Sequence, residues 1–239
     1  MTEDKVTYSQ IPVSVIDTKA VGKKGIRTKK HHIKHSSRTE FSPYPMEIGE
    51  ICSEFFCRDS DLIFDPFAGW GERNVCCTKF GKTYLGYDIS PEAIEYAKKK
   101  YQVTNYLGNS KTDPIPPHNG LITCPPYWNL EKYKGDNNLS RTKSWEIFLD
   151  DYETILTRSS KEALPNSTYC LMVGDWRKNK EYYNLSYETE RIMYKLGFKI
   201  HDKVIVSQKK ITPYLKMMTN CKRFLYTAKV HQYLLVFKN

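Results

Sequence analysis

The sequence predicts an α/β chain: a seven-stranded, mostly parallel sheet with helices on both faces and an antiparallel C-terminal hairpin. Three observations carry that expectation. From Pro45 onward, strand-length apolar runs alternate with helix-length amphipathic stretches, the rhythm of parallel strands joined by crossover helices. The last two apolar runs, Phe198 to Ser207 and Tyr233 to Phe237, have no helical pattern read between them, which suggests an edge hairpin. A chain of 239 residues, 40% hydrophobic, with 18 Tyr, 10 Phe and 4 Trp, has enough apolar surface for one sizeable core.

The first helix starts at Pro45, because proline loses nothing at a first helical turn, and Ile48, Ile51, Cys52, Phe55 and Phe56 then share a side. A strand over Leu62 to Phe64 follows, then a helix to about Phe80 stopped by Gly81, then a strand from Thr83 to Tyr87 ending at Asp88. Ser90-Pro91 opens the next helix, which runs to Tyr101. Leu121 to Thr123 reads as a strand, and Trp145 to Ala163 as a long helix with apolar residues three and four apart. Thr168 to Val173 reads as a buried strand and Glu181 to Leu196 as a helix ended by Gly197.

Charge divides the chain. Residues 1–38 hold nine Lys/Arg against three Asp/Glu, residues 203–239 hold eight against none, and the overall balance is +10. Basic ends around a mildly acidic body are the asymmetry expected of termini that bracket a phosphate backbone. Residues 1–38 are therefore expected to be a flexible basic arm, and residues 39–239 the folded domain, with small insertions near 129–144 and 207–226. The seven cysteines have no short paired spacing and read as reduced thiols, so the Asn-X-Ser/Thr matches at Asn138, Asn166 and Asn184 are chance. No run approaches the roughly 20 apolar residues of a membrane span, and no secretory leader is recognised. His31, His32 and His35 lack Cys or carboxylate partners at ligand spacing, so no metal is expected. Together these features point to a cytoplasmic, non-secreted protein.

Three strand ends carry unusual residues, and open α/β sheets bind ligands outside the carboxyl ends of their strands. Asp65-Pro66-Phe67-Ala68-Gly69-Trp70-Gly71 places glycines in a tight turn before a helix, without the spacing of a dinucleotide or triphosphate loop. Asp88 ends the next strand, where a carboxylate can accept ribose hydroxyls or simply begin a turn. Asn109 and Ser110 offer an amide and a hydroxyl that could reach an adenine edge. Cys124-Pro125-Pro126-Tyr127-Trp128 is a rigid turn: two prolines remove two N–H donors and leave carbonyl acceptors, and the aromatics offer faces for a planar base. Asp175 and Arg177 follow a strand on the same edge and could shape a base pocket or a DNA-facing loop, or equally form a surface ion pair.

Together, the 65–71 turn, Asp88 and Cys124-Pro-Pro-Tyr127 resemble the S-adenosylmethionine-dependent amino-methyltransferases of DNA, which make N4-methylcytosine or N6-methyladenine. Phe41-Ser-Pro-Tyr-Pro-Met-Glu47 resembles that family's segment before the glycine turn, and His231 to Lys238 resembles its final strand; the similarity spans roughly 40–239. The resemblance implies a Rossmann-like methyltransferase fold. It implies that Phe41, Pro45, Glu47, Asp65, Phe67, Gly69, Gly71, Asp88, Ile89, Asn109 and Ser110 surround the cofactor S-adenosylmethionine. It also implies that Cys124 and Pro125, stiffened by Pro126, accept hydrogen bonds from the target amine while Tyr127 stacks on the base. Trp128, Asp175, Arg177, Lys209 and Lys210 are the substrate-side candidates.

The family usually has Asp, Asn or Ser where this chain has Cys124, and the form nearest to Thr123–Tyr127 is frequent among N4-cytosine enzymes. The expected activity is therefore direct methyl transfer to an exocyclic amine of a DNA base extruded from the duplex, cytosine N4 ahead of adenine N6. An RNA methyltransferase and a non-catalytic nucleic-acid-binding module are the competing readings.

Overall fold

A computed structural model describes residues 12–18, 43–130, 138–208 and 215–239. An eight-stranded sheet, ordered β1-β9-β10-β6-β5-β2-β3-β4, forms its centre. In chain order the elements are β1 (Val15–Thr18), α1 (Met46–Ile51), β2 (Leu62–Asp65), α2 (Glu72–Lys79), β3 (Thr83–Asp88), α3 (Pro91–Tyr101), β4 (Tyr106–Leu107) and β5 (His118–Thr123). They continue as α4 (Trp145–Lys161), β6 (Ala163–Val173), β7 (Trp176–Lys178), β8 (Glu181–Tyr183), α5 (Leu185–Lys195), β9 (Lys199–Gln208), α6 (Leu215–Phe224) and β10 (His231–Lys238). β2 pairs in parallel with both β3 and β5, β5 with β6, and β1 with β9, whereas β10 runs antiparallel between β6 and β9. The chain leaves β2 toward β3 on one side and returns as β5 on the other, so the β2/β5 seam is the switch point where such sheets bind ligands.

Side-chain alternation along the strands fills two cores. Tyr169, Leu171, Val173, Leu235 and Phe237 face α4 and α5, burying Phe148, Tyr152, Ile155, Leu156 and Ile192. Cys170, Met172, Leu234 and Val236 face the other way, onto Ile48, Cys52 and Phe56 of the first helical segment. Helix starts follow their capping chemistry: the Ser90, Ser144 and Asn184 side chains accept from the backbone N–H groups of Ala93, Ile147 and Tyr187. After Ile51 the first helix widens into a π-helical turn over Cys52–Phe56, which keeps Cys52 and Phe56 buried.

Several expectations need correction. The sheet has eight strands rather than seven, because Val15–Thr18, inside the segment expected to be a flexible arm, pairs in parallel with β9. Four residues, Val15-Ile16-Asp17-Thr18, are too few to give a periodic signal; the partner strand supplies the order. The C-terminal pair is antiparallel, but α6 stands between its strands, and β1 covers β9, so the pair does not form the edge. The helix expected from Glu181 starts at Leu185: Glu181–Tyr183 pairs with Trp176–Lys178 as a hairpin, and Asn184 provides the cap. Residues 1–11 and 19–42, including the histidines at 31, 32 and 35 and Phe41, lie outside the described residues, as do 131–137 and Lys209 and Lys210. Among the described residues no helix is long and apolar enough to cross a membrane.

Candidate active site

The site is built around Asp65, the last residue of β2. Its carboxylate is fully buried. One oxygen accepts from the Phe67 backbone N–H at 3.0 Å and the Thr123 hydroxyl at 2.6 Å; the other accepts from Arg73 Nε at 2.5 Å and the Tyr84 hydroxyl at 2.7 Å. Four donors occupy its lone pairs. Asp65 thus fastens the 65–71 turn to the residue preceding Cys124, and because β2 and β5 are parallel neighbours the two turns open on one sheet edge. Arg73 also donates to the Phe67 carbonyl and lies over the Tyr44 ring, 4.8 Å from its centroid. Neither Arg73 nor Tyr44 was singled out by the sequence: an arginine inside the first turn of α2 carries no pattern that separates it from a surface cation.

Gly69 and Gly71 both have positive φ, 55° and 100°, but for different reasons. A Cβ on Gly69 would meet nothing closer than 3.8 Å, so the turn is open there. A Cβ on Gly71 would stand 2.7 Å from Ala97 Cβ, so that glycine lets α3 pack. Asp88, half-buried at the end of β3, accepts from Gly69 N and Ser90 N, both at 2.8 Å, one on each oxygen. Each oxygen keeps a further lone pair. Burial pushes its carboxyl above the ordinary aspartate range, with the two backbone N–H groups opposing the shift. Exposed Leu107 pairs in register with Asp88 and adds an apolar surface beside it; Ile89 is half-buried next to it.

Asn109 and Ser110 are occupied differently from the sequence reading. The Asn109 side-chain oxygen accepts from Lys111 N at 3.0 Å, an Asx turn, while buried Ser110 donates to the Pro66 carbonyl at 3.0 Å. Ser110 therefore braces the first turn, and its proton does not point to a ligand. Pro45 is buried at the start of α1, Glu47 is exposed in its first turn, and Phe67 is half-buried against Tyr152.

In the second turn, Pro125 is buried and Cys124 and Pro126 half-buried, with the Cys124 thiol 4.0 Å from the Pro125 carbonyl. Tyr127 is only 8% exposed; its ring lies 5.4 Å from Trp176, and its hydroxyl accepts from Gln232 at 2.8 Å. Trp128 donates to the Thr142 carbonyl and meets Tyr183 edge-on. The wall of this region is thus a cluster of Tyr127, Trp128, Trp145, Trp176 and Tyr183, most of it invisible to a reading that stopped at the motif. Two buried side-chain polar atoms lack a hydrogen-bond partner among the described residues: Tyr44 Oη beneath Arg73 and Trp176 Nε1 beside Tyr127. Asp175 accepts from Ser186 and Tyr182, so it anchors the β7–β8 hairpin to α5, and Arg177 is exposed over Tyr182 and Tyr226. No cluster of three or more metal-binding side chains occurs among the described residues.

Comparison with known proteins bears on this arrangement. Residues 12–99 match a family described as DNA methylase. Over 62 residues the chain is 29% identical to the type II methyltransferase M.Cfr9I of Citrobacter freundii, a stretch amounting to 26% of this chain and 21% of that relative's length. Among solved structures, magnesium protoporphyrin IX methyltransferase from Synechocystis PCC 6803 with bound SAM is similar at a TM-score of 0.53 and 12% identity, covering 81% of this chain and 79% of that one. A SAM-dependent methyltransferase from Methanosarcina mazei is similar at 0.53 and 10%, over 83% and 99%. These structures share the α/β Rossmann-like fold of SAM-dependent methyltransferases.

Proposed function

We propose that this chain, which matches the DNA methylase family over residues 12–99, transfers a methyl group from S-adenosylmethionine to an exocyclic amine of a DNA base, with cytosine N4 the first target and adenine N6 the second. One observation carries the reading: the Asp65 carboxylate holds Phe67 N and the Thr123 hydroxyl at once, which sets the glycine turn and the Cys124–Tyr127 turn side by side. A methyl donor over the first can face an amine held at the second.

The residues present fit the cofactor. Gly69 leaves open backbone, Asp88 keeps acceptor capacity for ribose hydroxyls, and Leu107 and Ile89 offer apolar contact. When bound, S-adenosylmethionine supplies an electrophilic methyl group on a sulfonium. The protein's share is positioning. The Pro125 carbonyl and Cys124, adjacent on one turn, accept hydrogen bonds from the N–H groups of the amine and favour a pyramidal nitrogen whose lone pair is available for in-line attack. A thiol is a weak donor and acceptor, so the Pro125 carbonyl carries most of this task. With the cofactor bound, the amine would take the methyl group from the sulfonium in line, the S–C bond breaking as the C–N bond is made, and would then give up its extra proton to solvent; the chain's own part is to hold that nitrogen in place. Tyr127 contributes to the wall of the base site as part of its aromatic cluster, and the Trp176 indole N–H is a buried donor with which an acceptor on the base could pair.

The test is incubation with methyl-labelled cofactor and DNA, digestion to nucleosides and mass analysis. Label in N4-methyldeoxycytidine supports the reading, and label in N6-methyldeoxyadenosine selects the second target. Methylation of RNA in place of DNA, or cofactor binding without transfer to any nucleic acid, overturns it.

A further inference from the structure

Many lysines and arginines of the described surface are neutralised locally: Lys79, Lys99, Lys111, Arg191, Lys195 and Lys203 each hold a carboxylate. The β7–β8 hairpin and the segment from the end of α6 to β10 are organised differently. Arg177 lies over the rings of Tyr182 and Tyr226, at 4.9 and 5.0 Å, and Lys229 over Tyr182 at 4.7 Å. Lys180 lies over Phe224 at 4.7 Å and Arg223 over the same ring at 5.1 Å, while Phe224 and Tyr226 stack on each other. None of these four cations has an ion pair among the described residues. The two nearby acids are engaged elsewhere: Asp175 accepts from Ser186 and Tyr182, and Glu181 accepts from Tyr183.

The difference has a physical consequence. A carboxylate orders a cation and cancels its charge; an aromatic face orders it and leaves the charge whole. Four long side chains are thereby held in place at full positive charge, so less rotamer freedom remains to be lost when an anion arrives. The surface also begins at the candidate base site. Trp176, which packs on Tyr127, alternates along β7 with exposed Arg177, and the Lys178 amine donates to the Asn129 backbone and side-chain oxygens just past the Cys124–Tyr127 turn.

We propose that this surface clamps the sugar-phosphate backbone of DNA beside the candidate base site. The inference rests on the DNA reading above, and its test does not require methyl transfer. Binding of a fluorescein-labelled DNA duplex is measured by anisotropy across a salt series for the wild-type protein, for the double variant Arg177→Gln/Lys180→Gln, for Arg223→Gln and for Lys99→Gln, with cofactor binding followed calorimetrically in each. The expected result is about tenfold weaker DNA binding by the double variant, with the dependence of log affinity on log salt shallower by roughly 1.8, or ~0.9 for each phosphate no longer neutralised. Lys99→Gln, which removes one charge at an ion-paired site as Arg223→Gln does on this surface, leaves both unchanged, and cofactor affinity is constant throughout. Wild-type affinity and slope in the double variant overturn the proposal, as does an equal loss in Lys99→Gln. Should the double variant lose cofactor binding through misfolding, Arg223→Gln alone decides, and an unaltered slope there overturns the proposal. If the wild type binds DNA through this surface but methylates none, the functional reading fails and the clamp stands.

Discussion

Asp65 and Asp88 end adjacent strands, yet their surroundings assign them different work. Asp65 has four donors and a buried arginine against it, so Asp65→Asn leaves Arg73 as an uncompensated buried cation. A loss of about 3–5 kcal/mol is expected from such a break, read as a lowered midpoint in chemical denaturation. Asp88 has only two backbone N–H donors and a carboxyl that burial holds above the ordinary aspartate range. A raised carboxyl favours the protonated folded state, so as pH climbs through the window above the ordinary value this carboxylate costs stability. Asp88→Asn is therefore expected to leave the melting temperature near wild type while weakening S-adenosylmethionine binding at least tenfold. The wild type should lose cofactor affinity as pH falls into that raised window and the carboxylate takes up a proton, whereas the variant should be flat. Calorimetric titrations over a pH series check both statements.

At the scale of elements, the packing of α2 against α3 depends on one missing methyl. Gly71 carries φ of 100°, and a Cβ there would stand 2.7 Å from Ala97 Cβ and 3.3 Å from Val103. Gly71→Ala combines backbone strain of about 1–3 kcal/mol with overpacking of similar size, and it pushes α3 away from the strand end that carries Asp88. Both melting temperature and cofactor affinity should drop. Adding Ala97→Gly should recover the packing part and leave the strain. Elements of this kind were legible in the sequence because Gly, Pro and capping residues mark their ends: β2, β3 and α3 lie within a residue of where the pattern puts them. The strand β1, the β7–β8 hairpin and α6 were not legible, since segments of three or four residues, or ones dominated by basic and polar side chains, take their order from neighbours. For the same reason the two turns could be read as motifs, but Arg73, Tyr84 and Trp176, which hold them, could not; their roles exist only once the sheet has brought distant residues together.

Across the whole molecule, the candidate chemistry occupies the carboxyl ends of β2, β3 and β5, and a separate acid-sensitive device sits where β5 begins. His118 is fully buried between Phe64 and Tyr169, with Nδ1 donating to the Pro116 carbonyl at 2.8 Å and Nε2 2.6 Å from the Tyr169 hydroxyl, which also lies 2.9 Å from the Ser159 carbonyl. Burial pushes its imidazole down from 6.5 to about 4, so the folded protein holds it neutral. The unfolded chain takes up the proton first as pH falls, so the contribution of neutral His118 is complete above about 6.5 and is lost progressively toward about 4, an effect of about 3 kcal/mol at most. Denaturant titrations from neutral pH to about 4 should show wild-type stability declining relative to His118→Gln, whose side chain has no proton to gain over that range. Parallel curves for the two proteins would show that the loss arises elsewhere. Because His118 begins β5 and the Cys124–Tyr127 turn follows its end, the variant should retain its affinity for S-adenosylmethionine at neutral pH, which separates acid unfolding of the scaffold from protonation of Asp88 at the site.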